Sequence, residues 1–189
     1  EPVLEPMDRP QCANDQSLKV TQNLLQLFRK RKTTRYFKKA DIDIEIIKNA
    51  IAIAGTAPSG ANKQPWSFGV IHRQEDKEIF RQRAEKEEKQ FYEVKAPKSW
   101  LNDLKPLHTH AKKEFITEAS YLIPVFCKQY DLDERDNKKT NYYVKESVGL
   151  ATGFLIAALH MAGLSVLTYT PTHRQFLVDL LGRPANERS

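Results

Sequence analysis

The chain has 189 residues, of which 40% are hydrophobic, enough for one domain with a sizeable core. Its formal net charge of +6 suits an anionic ligand, but it has no zinc-finger spacing and no aromatic–basic ribonucleoprotein motif, so we do not expect nucleic-acid binding. The two cysteines, Cys12 and Cys127, provide neither a disulfide framework nor the spacing of a metal site.

The first 17 residues contain three prolines and few apolar side chains, which predicts a disordered N-terminal tail before a domain over residues 18–189. The apolar periodicity predicts an α+β order with a few strands among many helices. In chain order the predicted elements are helices over 18–31 and 42–54, a strand over 66–72, a charged helix over 77–92, a short apolar segment over 100–107, a helical turn or two over 112–119, a strand over 122–128, a charged loop over 131–139, a long helix over 143–162, a strand over 164–169 and a final helix over 172–181.

Residues 148–167 form an uncharged stretch that is long enough to suggest a membrane span. We reject that interpretation because small residues dilute its hydrophobicity and Gly163 divides it into a helix and a strand. A helix that is apolar all round is expected at the centre of an α/β core or in a dimer interface.

The loop at residues 57–66 combines two prolines, a glycine and small polar residues between a predicted helix and a predicted strand. Such a loop lets backbone N–H groups approach a flat or anionic ligand. Arg31 and Arg35 lie upstream, and a cluster of cations before this loop suggests a phosphate-bearing ligand. Each feature alone is also typical of a solvated face or an ordinary turn.

Three motifs with this order and spacing resemble the nitroreductase flavoprotein superfamily and, more narrowly, the iodotyrosine deiodinase family. They are Arg31-x-x-x-Arg35-x-Phe37, Ala57-Pro58-Ser59-Gly60-Ala61-Asn62-x-Gln64-Pro65-Trp66 and Glu146-Ser147-Val148-Gly149-Leu150-Ala151. The resemblance covers residue 26 to the end. It implies an FMN-binding fold with a central mixed or antiparallel sheet surrounded by helices, in a homodimer whose active sites lie at the subunit interface.

The resemblance also implies the cofactor-binding residues. These are Arg31, Lys32, Thr33, Thr34, Arg35, Ser59, Gly60, Thr168, Tyr169 and Thr170. Thr170 is the implied catalytic residue, with its hydroxyl bonded to the flavin N5. From the residues alone, the favoured interpretation of Thr170 is a strand-end hydroxyl before Pro171. The lack of a Gly-x-Gly-x-x-Gly turn favours FMN over a dinucleotide cofactor.

The implied substrate-binding residues are Glu88, Tyr92 and Lys113, with the backbone N–H of Ala61 facing a phenolate oxygen. Glu88 and Tyr92 are four residues apart and share one helix face. In the deiodinase family these positions grip an amino-acid zwitterion. The alternative is a solvated helix, since residues 85–89 are all charged.

The implied reaction is FMN-dependent reductive dehalogenation of halotyrosine, which returns halide and tyrosine with electrons derived from NADPH. A broader FMN-dependent nitro- or quinone reductase and a flavin-free regulatory or interaction protein remain as alternatives. Relatives continue beyond position 189 with an apolar strand and a C-terminal arm, so we expect weaker flavin binding and dimerisation here. Animal relatives carry an N-terminal membrane anchor, which we expect to lie outside this chain.

Overall fold

The structure, a computed structural model, describes residues 13–171 and 175–188. It divides into two compact units, residues 1–32 and residues 33–189. The first unit contains helix α1 (Asn14–Arg29), which begins four residues before the predicted start, with Asp15 in its first turn and Arg29 in its last turn. Both charges have the sign that the helix dipole favours. No residue of α1 is buried.

The second unit contains the remaining helices, and most of them lie where the apolar periodicity predicts them. They are α2 (Ile44–Gly55), α3 (Gln74–Gln90), α4 (Lys98–Leu104), α5 (Phe115–Glu118), α6 (Val144–Met161) and α7 (Gln175–Leu180). Short 3₁₀ turns cover Gly60–Asn62 and Lys105–Leu107, and a π-helical turn covers Phe91–Lys95.

The central sheet is antiparallel and has the strand order β1 (Trp66–Phe68), β2 (Val125–Lys128) and β5 (Glu187–Arg188). Its register pairs Trp66 with Cys127 and Cys127 with Arg188. An isolated bridge between Ile71 and Leu122 extends the pairing of the first two strands toward the predicted lengths. The α+β class is confirmed, with helices around a small antiparallel sheet.

The prediction of a charged loop over 131–139 is wrong. This region forms a hairpin of β3 (Tyr130–Leu132) and β4 (Lys138–Thr140). The Asp133 carboxylate accepts the backbone N–H groups of Arg135 and Asn137, each at 2.9 Å, and so stabilises the turn. All three residues of β4 are exposed, so the sequence carries no alternation that would reveal the strand.

The predicted strand over 164–169 forms a single parallel bridge, between Thr33 and Val166, rather than a regular strand. The Thr34 N–H donates to the Val166 carbonyl at 3.3 Å. Residues of this segment and residues 119–125 line a cavity of about 690 Å³. The start of the predicted last helix, at 172–174, lies outside the described residues.

The long apolar helix is not buried on all sides in the single chain, and its burial in a dimer interface stays a prediction. One face of α6 packs on α2, and Leu155 and Leu159 contact Ile47, Ala50 and Ala54 there. The opposite side leaves Leu150, Phe154 and Met161 exposed by 48%, 39% and 58%. No helix within residues 13–171 and 175–188 has both the length and the hydrophobicity that crossing a membrane requires.

Candidate functional site

Helix α3 is strongly polar, yet hydrogen bonds hold it against the chain around α5. The Lys77 ammonium donates to the Ala119 carbonyl at 2.8 Å. The Arg81 guanidinium donates to the Thr117 hydroxyl at 3.0 Å and to the Glu85 carboxylate at 2.7 Å. These bonds fix which face of α3 turns inward, and Lys77, Phe80, Ala84 and Glu88 are buried there.

The Glu85 carboxylate joins α3 to the backbone of the next segment, since it accepts the Lys113 N–H at 2.7 Å. Burial acts to raise the pKa of Glu85, but the Lys113 N–H and the Arg81 guanidinium outweigh it, and the pKa lies below its ordinary value. The carboxylate therefore stays ionised. It holds the backbone of Lys113 against Glu85, which lies one helical turn before Glu88 on α3.

The centre of the site is a buried ion pair between Glu88 and Lys113. The Lys113 Nζ lies 3.0 Å from Glu88 Oε2, and each residue is only 7% exposed. The second oxygen, Glu88 Oε1, accepts the Tyr169 hydroxyl at 3.0 Å. The Lys113 ammonium also donates to the His110 carbonyl at 2.7 Å. Both buried charges are thus paired and hydrogen-bonded, as their burial requires.

Two tyrosine rings flank the Lys113 ammonium. Its Nζ lies 5.4 Å from the centroid of the Tyr92 ring and 5.8 Å from that of the Tyr169 ring. The Phe115 ring packs edge-on against Tyr169, with the ring centroids 5.4 Å apart. Burial first, and then the charge and hydrogen bond of Glu88, raise the pKa of the Tyr169 phenol far above its ordinary value. The phenol therefore remains a donor at neutral pH.

The structure brings Glu88, Tyr92 and Lys113 into this one cluster, so Glu88 does not lie on a solvated helix face. Tyr169 joins them, although the resemblance places it with the cofactor. No local pattern in the sequence marks this contact, because Tyr169 and Glu88 lie 81 residues apart in the chain.

The loop before β1 presents backbone groups through an unusual conformation. Ala61, Asn62 and Gln64 have left-handed φ angles of 48°, 52° and 47°. The Ser59 hydroxyl accepts the Gln64 N–H at 2.9 Å and stabilises this strained path. A Cβ on Gly60 would lie 2.9 Å from Cδ2 of Tyr143, so glycine permits the close packing of the loop there.

The N–H groups of Asn62 and Lys63 donate to carbonyls within the same loop. By contrast, the N–H of the exposed Ala61 makes no hydrogen bond with another residue of the described chain. The loop lies beside the start of α6. No hydrogen bond or ion pair within residues 13–171 and 175–188 connects it to the Glu88–Lys113 cluster.

The predicted phosphate-binding cations are exposed. Arg31 and Lys32 end the first unit, and Arg35 is the third residue of the second. None of the three forms an ion pair with any residue that the structure describes. Thr34, Thr168, Tyr169 and Thr170 line the 690 Å³ cavity, whereas Ser59 and Gly60 do not. The candidate residues therefore form four groups in one chain: the buried cluster, the cavity wall, the loop before β1 and the exposed cations.

Comparison with known proteins gives the class first. The sequence model described as "Nitroreductase family" matches residues 28–188. The chain belongs to the nitroreductase family.

The individual relatives narrow the class. The chain is 44% identical over 188 residues to the iodotyrosine deiodinase of Haliscomenobacter hydrossis, covering 100% of this chain and 85% of that protein. It is 43% identical over 159 residues to the iodotyrosine deiodinase of Hydra vulgaris. That alignment covers 84% of this chain but only 58% of the relative. Within the nitroreductase family, the chain groups with the iodotyrosine deiodinases.

A solved structure supports the same grouping with the iodotyrosine deiodinases. The crystal structure of oxidised iodotyrosine deiodinase bound to FMN and 3-iodo-L-tyrosine superposes with a TM-score of 0.78 at 34% identity. The match covers 87% of this chain and 84% of that chain.

Proposed function

We propose that this protein is an FMN-dependent oxidoreductase that removes halide from halogenated tyrosine. The observation that carries the proposal is the buried Glu88–Lys113 ion pair, with a separation of 3.0 Å, beside the Tyr92 ring. In the reaction the carbon–halogen bond breaks, halide leaves and a carbon–hydrogen bond forms, so two electrons and one proton are consumed.

The ion pair complements an α-amino acid. The ammonium of the ligand can take the place of Lys113 on the Glu88 carboxylate, while the ligand carboxylate takes the place of Glu88 on the Lys113 ammonium. The site is electrically neutral before and after this exchange. A ligand that carries neither charge can bind only beside the intact pair. A ligand that carries one charge would leave the other side of the pair buried without a partner, which is costly.

The residues of this chain fit FMN. Exposed cations at Arg31, Lys32 and Arg35, none paired with another described residue, suit a phosphate, and Thr33 and Thr34 add hydroxyl groups beside them. The strained loop at Ser59 and Gly60 and the hydroxyls of Thr168 and Thr170 would hold the rest of the cofactor. Bound FMN would supply the electrons for halide removal after its own reduction by an NADPH-type donor.

We assign Thr170 to hydrogen bonding with the flavin ring and the Ala61 N–H to the phenolate oxygen of the ligand.

We further propose that two copies of the chain assemble to complete the site. Leu150, Phe154 and Met161 expose an apolar face on α6, and exposed apolar patches of this kind mark interfaces. A Cβ on Gly149 or Gly153 would meet nothing within 4 Å, so there is room for a second helix to approach α6. A dimer would also bring the loop at residues 57–66 of one copy to the Glu88–Lys113 cluster of the other.

The first prediction is that the protein sediments as a homodimer at micromolar concentration. Phe154→Glu should shift it toward monomer, because a charge would be buried in the interface. The control is Leu132→Glu, which places the same charge on a 54% exposed leucine of the β3–β4 hairpin. A parent monomer, or equal behaviour of the two variants in analytical ultracentrifugation, would contradict the proposed interface.

The second prediction concerns the cofactor. Arg35→Ala should weaken FMN binding by at least about tenfold, since a charge-assisted hydrogen bond contributes about 1.5–3 kcal/mol. Arg135→Ala, which removes an exposed arginine from the hairpin turn, is the control for net charge. The measurement is a titration of flavin fluorescence. Equal flavin retention in Arg35→Ala and the parent, or equal loss in both variants, would exclude a specific phosphate contact.

The third prediction concerns the substrate. Glu88→Gln and Lys113→Ala should each weaken iodotyrosine binding by about tenfold or more, because each removes one charge of a desolvated pair. Binding of iodophenol, which lacks the zwitterion, should change little, and flavin binding should stay the same. Quenching of flavin fluorescence by each ligand measures both affinities. The matched control is Glu78→Gln on the exposed side of α3.

Three outcomes separate the alternative functions. If iodophenol binds the parent as tightly as iodotyrosine, the pair is not a zwitterion clamp, and a broader FMN-dependent nitro- or quinone reductase becomes the better description. If both ligands lose affinity equally in the variants, the pair has only a structural role. Purified protein without flavin colour that fails to take up added FMN would favour a flavin-free interaction protein.

A further inference from the structure

The two oxygens of the Glu88 carboxylate have different donors. Oε2 lies 3.0 Å from the Lys113 ammonium, and Oε1 accepts the Tyr169 hydroxyl at 3.0 Å. These donors differ in charge and in how they are held. Lys113 carries a positive charge that a ligand carboxylate can attract. Tyr169 is neutral, and its ring is packed edge-on against Phe115.

We propose that Tyr169 is a positioning residue that determines specificity for amino-acid ligands: its hydroxyl holds Oε1 of Glu88 while Oε2 passes from Lys113 to the ammonium of the ligand. The inference rests on the proposed function, since it concerns the same zwitterion site. It gives Tyr169 a role toward the substrate clamp rather than toward the flavin.

The exchange needs such a donor because a buried carboxylate without partners is strongly unfavourable. When Lys113 turns to the ligand carboxylate, the bond from Tyr169 keeps one oxygen of Glu88 satisfied. Burial and the neighbouring carboxylate keep the Tyr169 pKa well above neutral pH, so this donor does not lose its proton during the exchange. Since the phenol is uncharged, the ligand carboxylate has little tendency to draw it away from Glu88.

The same bond connects the clamp to the residue that we assign to the flavin ring. Tyr169 stands between Thr168 and Thr170 in the chain, and all three line the cavity. A hydrogen bond from Tyr169 to Glu88 therefore ties α3 to the segment that carries Thr170. Loss of the hydroxyl should loosen the amino-acid site without removing the apolar contacts of the ring.

The test is Tyr169→Phe in the flavin-loaded protein, because phenylalanine keeps the ring and its contact with Phe115. Titration of flavin fluorescence should show a loss of about fivefold to tenfold in affinity for 3-iodo-L-tyrosine, the scale of one hydrogen bond to a charged group. The affinity for 2-iodophenol should change by less than about twofold, since that ligand does not open the ion pair. In a Glu88→Ala background, Tyr169→Phe should have less than about a twofold further effect, because Glu88→Ala already removes the acceptor of the Tyr169 hydroxyl.

Tyr121→Phe is the matched control. It also removes a partly buried phenol that makes one hydrogen bond, to the Ile42 carbonyl at 2.8 Å. This bond lies outside the Glu88–Lys113 cluster, so Tyr121→Phe should lower stability without changing the preference for iodotyrosine over iodophenol.

The proposal is overturned if Tyr169→Phe binds iodotyrosine as the parent does, if both ligands weaken equally, or if the effects of Tyr169→Phe and Glu88→Ala are additive. A parent that binds no iodotyrosine overturns the proposed function instead. In that case a double-mutant cycle measured by thermal unfolding tests the Tyr169–Glu88 bond alone. Non-additive changes in the free energy of unfolding would support the positioning of Glu88 by Tyr169, and additive changes would exclude it.

Discussion

The burial of two opposite charges, on Glu88 and Lys113, is the constraint that organises this site. A charge removed from water without partners costs several kcal/mol, and even a good buried pair contributes little net stability. The structure meets the requirement in full: Glu88 receives Lys113 and Tyr169, and Lys113 also donates to the His110 carbonyl. Hydrogen bonds donated by Lys77 and Arg81, and one accepted by Glu85, hold α3 in the orientation that makes this burial possible. An arrangement that adds little to stability but needs so many supporting contacts is best explained by ligand recognition.

Under the proposed function, the pair makes an amino acid a better ligand than a simple phenol. The protein has already removed a carboxylate and an ammonium from water during folding, so a zwitterion can exchange partners with them at little further cost in desolvation. A neutral phenol gains nothing from that arrangement. In this proposal the clamp provides selectivity through its charges, while the exposed cations and the loop at 59–61 bind the cofactor. The two functions depend on different residues, which allows each to be tested without disturbing the other.

The sequence predicts much of the fold and part of the site. Helices with apolar faces, such as α2, follow directly from their periodicity, whereas the hairpin strand β4 has no buried face and leaves no pattern to read. The charged run at 85–89 is compatible with a solvated helix, and only the family resemblance selected Glu88 as a buried ligand group. Tyr169 was assigned to the cofactor because local spacing cannot reveal a partner that lies 81 residues away in the chain. A continuous apolar pattern does not distinguish a core from an interface, so the sequence left both explanations open for α6.

The most direct test of the exchange of ion pairs is a comparison of ligands in the unmodified, flavin-loaded protein. Iodotyrosine is compared with iodotyramine, which lacks the carboxylate, and with the iodinated hydroxyphenylpropionate, which lacks the amine. Each analogue should bind at least about tenfold more weakly than iodotyrosine, because each leaves one of the two buried charges without a partner. If either analogue binds as tightly as iodotyrosine in a flavin-fluorescence titration, Glu88 and Lys113 do not exchange partners with the ligand and the account of the site is wrong.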